Sequence, residues 1–229
     1  VKRFYKDATA SPQDGGVAVL LDGRPVKTPA RHALRVPNAR LAEAIAAEWK
    51  AQGETIEPHT MPLTGLANAA IDRVAPDPEA FARGLVRYGE ADLLCYRADA
   101  PRPLVERQAA LWDPLLDWAR RRFDAEFETV CGIMHRPQPE ATVERLAAAV
   151  MARGAFELAG LAPLVTVSGS LLIALALAEG AVGLEQAWSA ATLDEAWQAE
   201  QWGDDPLAAA AHDERRRDFD AGYLFLTLL

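Results

Sequence analysis

The spacing of apolar residues changes period near residue 60. Before that point, short apolar runs at Phe4 to Ala8, Val17 to Leu21, Pro25 to Thr28 and Ala33 to Val36 are separated by Gln13-Asp14-Gly15-Gly16, by Asp22-Gly23 and by a loop at Pro29. Runs this short, bounded by turn residues, predict strands. Asp22-Gly23 predicts a type I′ hairpin turn, because that turn needs positive φ at both central positions and Asp-Gly tolerates it. Asn38 then offers an N-cap, and Leu41, Ile45 and Trp49 fall on one helical face before Gly53. The first unit is thus a small α/β domain over residues 1–62, short antiparallel strands covered by one helix.

From Thr64 onward the apolar residues recur at helical spacing, which predicts a larger all-helical domain over 63–229 and an α+β chain overall. Asp77-Pro78 opens a helix whose inner stripe is Phe81, Leu85 and Tyr88. A longer helix carries Leu104, Gln108, Leu111, Leu115, Ala119 and Phe123, with Asp113-Pro114 placed to kink or restart it. Pro139 opens another through Val143, Leu146 and Val150, closed by Gly154. Thr192 with Glu195 has the spacing of a capping box, and Asp205-Pro206 starts the last helix, which runs towards Phe225.

One segment tests whether the chain is soluble: Leu158 to Ala178 has no charge for twenty-one residues, long enough to cross a bilayer. Pro163 and Gly169 interrupt it, Thr166, Ser168 and Ser170 gather at the break, and cationic flanks are thin. Two buried helical pieces meeting at a kink are predicted in place of a membrane span.

The net charge of −9 and pI near 5.0 exclude a nucleic-acid or anionic-membrane binder, which needs concentrated Lys and Arg. Arg120-Arg121-Arg122 and Arg215-Arg216-Arg217 are flanked by acids and read as solvated helix faces. Two cysteines, Cys95 and Cys131, are too few for a disulfide framework, so buried thiols in a reducing compartment are expected. With no signal-peptide run and no Arg/Ser-rich presequence, the reading is a cytosolic chain or one already processed.

The search for catalytic motifs finds none. No Gly-Lys pair exists for a P-loop, Gly15-Gly16 opens no helix, and His32, His59, His135 and His212 lack metal-ligand spacing, so no cofactor and no metal are expected. Ser168-Gly169-Ser170 is not a nucleophile elbow and reads as small residues for close helix packing. An enzymatic alternative is a carboxylate site near Glu90, Asp92 and Tyr96. Against it stands a denser feature. Trp188, Trp197 and Trp202 lie within fifteen residues, interleaved with Asp194, Glu195, Glu200, Asp204 and Asp205. Aromatic area beside carboxylates suits recognition of a basic or partly apolar protein surface. Trp197 is expected in the core and Trp202 in solvent.

Several strings occur together and in order: Lys2-Arg3-Phe4-Tyr5-Lys6, Leu21-Asp22-Gly23-Arg24-Pro25-Val26-Lys27-Thr28-Pro29, Glu48-Trp49 followed by Met61-Pro62-Leu63-Thr64, and Asp92-Leu93-Leu94-Cys95-Tyr96-Arg97. Glu106-Arg107-Gln108 with Trp112-Asp113-Pro114, Ser168-Gly169-Ser170, Asp194-Glu195, Gln198 and Gln201-Trp202-Gly203 complete them. Over almost its whole length the chain resembles the assembly chaperones that act on the α subunit of the F-type ATP synthase head. The resemblance implies a small N-terminal α/β domain, a larger helical domain, and a holding activity that keeps unassembled α subunit from aggregating until it pairs with β, without ATP turnover. It places the chain in a bacterial cytoplasm and its eukaryotic relatives in the mitochondrial matrix, as a monomer when free. Glu195, Glu200, Trp202, Asp204 and Asp205 are the expected contacts with the α subunit.

Overall fold

A computed structural model of the chain describes residues 1–132, 136–203 and 206–229. Strands β1 (Ala8–Gln13) and β2 (Gly16–Leu21) form an antiparallel hairpin with Ala8 opposite Leu21 and Gln13 opposite Gly16. Gly16 has φ +139°, and a Cβ there would stand 2.7 Å from the Val36 carbonyl oxygen, so the position admits only glycine. The turn at Asp22 (φ 46°) and Gly23 (φ 78°) has the positive φ pair expected of it. It leads into β3 (Arg24–Pro25), and β4 (Arg35–Val36) returns to pair with β2.

Alternation turns Val19 and Leu21 inward, where helix α1 (Ala39–Lys50) covers them with Leu41, Ala42, Ile45 and Ala46. The Asn38 side chain accepts the Leu41 N–H and caps α1 as expected. Two boundaries differ from the sequence reading. The first strand begins at Ala8 and not at Phe4, because the Asp22 carboxylate takes the Lys6 and Asp7 N–H groups and Phe4 is left 71% exposed. Helix α1 ends at Lys50, before Gly53, where buried Gln52 binds the Glu48 carbonyl, the Thr60 hydroxyl and the Glu57 N–H.

The helices follow: α2 (Pro62–Ala69), continued by a wider π turn over Ala70–Val74, α3 (Pro78–Glu90), α4 (Arg102–Phe123), α5 (Glu140–Met151), α6 (Ala155–Ser168), α7 (Leu171–Ala178), α8 (Leu184–Ala191), α9 (Leu193–Trp202) and α10 (Pro206–Thr227). Two residue pairs at β5 (Tyr96–Arg97) and β6 (Val130–Cys131) run parallel between them. Asp77 caps α3 through the Ala80 N–H. Helix α4 runs through Pro114 without restarting. The carbonyl that loses its donor is that of Ala110, an exposed residue, so solvent can satisfy it.

The apolar run folds as two helices. Helix α6 passes through Pro163 unbroken, Gly169 (φ +66°) turns the chain, and Leu171 to Leu177 are buried on every side. Among the described residues no helix is long and apolar enough to cross a membrane. Helices α6 and α10 cross at Gly160 and Gly222. A Cβ on Gly222 would meet Pro163 Cγ at 2.7 Å and the Gly160 carbonyl oxygen at 2.9 Å.

Two apolar cores result. The larger is built from α3 to α8 with Phe219 of α10. The smaller holds the sheet and α1, and also takes in Leu63 and Ala67 of α2 and Phe225 near the end of α10, whose ring stacks on Phe156. Asn38 donates to the carbonyls of Leu228 and Leu229, so the last helix is tied to the start of the first. The expected burial of both thiols holds for Cys95 alone, since Cys131 on β6 is exposed.

Candidate functional site

Several of the strings that stand out in the sequence serve to satisfy backbone groups at helix ends. Glu48 accepts the Leu63 N–H at 2.7 Å and both the N–H and hydroxyl of Thr64, at 2.8 and 2.7 Å, capping α2 from a different helix. Asp92 does the same for α7: it accepts the Ser170 hydroxyl at 2.6 Å, the Leu172 N–H at 3.0 Å and the Leu94 N–H at 3.1 Å. Ser168 and Ser170 therefore act as caps more than as small packing residues, with Ser170 also accepting the Ile173 N–H. Trp112 donates to the Ala190 carbonyl at 2.9 Å, and Asp113 pairs with Arg97 at 2.8 Å.

The enzymatic alternative near Glu90, Asp92 and Tyr96 lacks an accessible centre. Burial pushes the Asp92 carboxyl up to about 6, yet the side chain is fully enclosed and its oxygens are occupied. Glu90 lies in solvent. Burial, with Asp92 adding to it, raises the neighbouring Cys95 thiol to about 12, far from the thiolate that chemistry would need.

The tryptophan-bearing segment is arranged differently. Thr192 and Glu195 form no capping box: the Thr192 hydroxyl donates back to the Trp188 carbonyl at 2.9 Å, and Glu195 reaches out to Arg215 of α10 at 2.9 and 3.0 Å. Glu200 holds Arg107 of α4 through both oxygens at 2.8 Å. That hydrogen-bonded guanidinium keeps the Glu200 carboxyl below its ordinary range. Asp194 accepts from Gln108, whose other amide atom takes the Ala98 N–H.

The three indoles separate by depth. Trp188 is buried against Phe219 and under Arg216. Trp197, expected in the core, is half-buried with Arg107 4.9 Å above its ring. Trp202 is 79% exposed, as expected, and Leu207 at the start of α10 is 80% exposed. Asp204 and Asp205 lie outside the described residues, as does His135.

Two features escaped the sequence reading. Pro206 to Ala211 are all exposed, although an apolar helical run ordinarily signals core. A groove of about 300 Å³ also opens between α4 and the α8–α9 junction, lined by Arg107, Leu111, Thr192, Leu193 and Ala196. Its walls are distant in sequence, so no local pattern announces it. In sequence, residues 193–214 carry seven Asp and Glu and no Lys or Arg, although Arg107 of α4 lines the groove. Among the described residues no cluster of His, Cys, Asp and Glu could hold a metal ion.

Glu48, Asp92 and Ser170 are spent on helix caps, while an indole, a leucine and an apolar helical turn are left in solvent, which is the character of a surface that meets another polypeptide. The model of the ATP12 chaperone protein family matches residues 2–120, and the chain belongs to that family. It is 42% identical to Atp12 of Paracoccus denitrificans, whose crystal structure it matches with a TM-score of 0.94 over 99% of this chain and 97% of that one. A putative chaperone from Agrobacterium tumefaciens is 43% identical, with a TM-score of 0.94 over 99% and 85% of the two chains. The mitochondrial protein atp12 of Schizosaccharomyces pombe is 26% identical over 214 residues, 88% of this chain and 74% of that protein.

Proposed function

We propose that the protein holds the unassembled α subunit of the F-type ATP synthase, covering surface meant for its neighbours until the β subunit takes its place, with no ATP hydrolysis and no other covalent step. The observation that carries this reading is the exposure of Trp202 at the end of α9 and Leu207 at the start of α10, within residues 193–214, whose sequence has seven Asp and Glu and no Lys or Arg. Exposed apolar area of that kind marks a protein-binding site. Glu195, Glu200, Trp202 and the neighbouring Asp204 and Asp205 are its proposed contacts.

Glu195 and Glu200 already pair with Arg215 and Arg107 in the free protein. Exposed ion pairs contribute little to stability, so exchanging these cations for those of a client costs little. That favours specificity with ready release, since such a rim chooses the partner while the native neighbour wins by burying more area. The proposed setting is a bacterial cytoplasm, with the mitochondrial matrix for eukaryotic relatives, and a monomeric free chain.

The test mixes purified protein with isolated α subunit in the absence of nucleotide. Suppressed light scattering and a defined co-eluting complex are expected. An α subunit that aggregates unchanged, or a folded variant reversed at Glu195 and Asp204 that suppresses aggregation as well as the parent, overturns the assignment.

A further inference from the structure

Charge is divided unevenly along the chain. The first fifty residues hold nine Lys and Arg against five Asp and Glu, a surplus of four, so within a net −9 the remaining residues carry −13. All four lysines, Lys2, Lys6, Lys27 and Lys50, belong to that first segment. Pairing is divided too. From residue 63 onward eleven of the fifteen arginines stand in ion pairs with the described residues. Of the nine cations in the first fifty residues, Lys50 alone has an acidic partner among the described residues, Asp7 at 3.5 Å.

The register shows where two of these cations stand. Ala18 is opposite Arg35 and Ser11, Leu20 is opposite Thr9, and Lys27 is bridged to Ala33. Since Val19, Val26, Leu34 and Val36 point into the small core, alternation puts Lys27 and Arg35 on the opposite face with Thr9 and Ser11. Helix α1 covers the core side, and the strand positions that the register puts on the outer face, Thr9, Ser11, Ala18, Leu20, Lys27 and Arg35, include no carboxylate. Arg35 is also held in place. Its Nη1 donates to the Asp14 carbonyl at 3.2 Å, which leaves the other N–H groups of the fork without a protein partner among the described residues.

The geometry points to a second docking surface on this outer sheet face, whose occupant is an extended, carboxylate-bearing segment of a client polypeptide. A guanidinium fixed at one end and open at the other suits bidentate capture of a carboxylate, and Lys27 beyond Ala33 supplies a second positive charge at strand spacing. Thr9 and Ser11 add hydroxyl donors on neighbouring positions of β1. Two cations on one face of a chain of net −9 are too few for a phosphate backbone, so an acidic protein segment fits better than a nucleic acid. The inference extends the proposed function with a surface of opposite sign, remote in sequence from the α9–α10 corner.

The test uses the full chain and a fluorescein-labelled peptide of alternating glutamate and threonine, with binding read by fluorescence anisotropy at low salt. Expected are saturable binding, a loss of about tenfold in K27E/R35E, a smaller loss in K27A, and no more than about a twofold change in E195K/E200K. Bound peptide is expected to slow acetylation of Lys27 but not of Lys50. The proposal is overturned if the parent does not bind, if K27E/R35E and K27A both bind as the parent does, if Lys50 is protected as strongly as Lys27, or if a single-stranded oligonucleotide displaces the peptide at matched charge. Failure of the α9–α10 assignment reads out separately, as E195K/E200K retaining full suppression of α-subunit aggregation.

Discussion

Ser170 and Asp92, 78 positions apart, are joined by a hydrogen bond of 2.6 Å that places a buried carboxylate at the N-terminus of the most buried helix in the protein. D92N is expected to lose about 1–3 kcal/mol, because an amide turns an NH2 group towards donors it cannot satisfy. The pH dependence follows from burial, which raises this carboxyl from 3.8 to about 6. Its contribution is complete below about pH 4 and is lost as pH rises through about 6, by about 3 kcal/mol. Urea unfolding of parent and D92N between about pH 4 and 7 should show the parent's margin shrinking as pH rises; a margin that grows contradicts the assignment.

Glu48 is the equivalent device for α2, whose own N-cap residue, Met61, offers no side-chain acceptor. E48Q keeps the size but replaces one accepting oxygen by a donor facing an N–H. A loss of about 1–2 kcal/mol is expected, with faster hydrogen exchange at the Leu63 and Thr64 amides. Unchanged exchange at those two amides would show that the cap is dispensable.

The α6–α10 crossing depends on the missing side chain at Gly222, where a Cβ meets the Gly160 backbone and cannot be relieved by a rotamer change. G222A is expected to cost about 1–3 kcal/mol in thermal unfolding. Gly53, with open space around it and no positive φ, is the control, and G53A should stay within about 0.5 kcal/mol.

Trp202 and Trp188 give opposite expectations from the same residue type. W202A should leave unfolding within about 0.5 kcal/mol and weaken suppression of α-subunit aggregation by about tenfold. W188A removes a ring packed on Phe219 and is expected to cost about 3–5 kcal/mol. If W202A destabilises as W188A does, the exposed indole is structural and not a contact.

What could be read from the chain was local. Asp22-Gly23, Asn38 before Leu41 and Asp77-Pro78 each fold within a few residues of themselves, and each took the conformation its chemistry favours. The same logic failed where a local signal had a distant competitor. Thr192 and Glu195 have capping-box spacing, but Arg215 from α10 takes the glutamate. Phe4 to Asp7 alternate like a strand, but the Asp22 carboxylate claims the amides of Lys6 and Asp7.

The amino-acid order by itself determined an α+β chain whose four-stranded sheet forms at its start, the turns that join those strands, and an apolar stretch that divides at Gly169, because period, φ preference and side-chain size act over a few residues; the short β5–β6 pair within the helical part was not legible. The tertiary structure alone decided that Glu48 and Asp92 are caps, that Phe225 joins the strand core, that Trp197 is half-buried under Arg107, and that Lys27 and Arg35 are exposed on one face of the sheet. Each of those outcomes depends on which partner arrives from tens of residues away, and a sequence pattern carries a residue's donors, acceptors and volume but not the identity of the group that meets them.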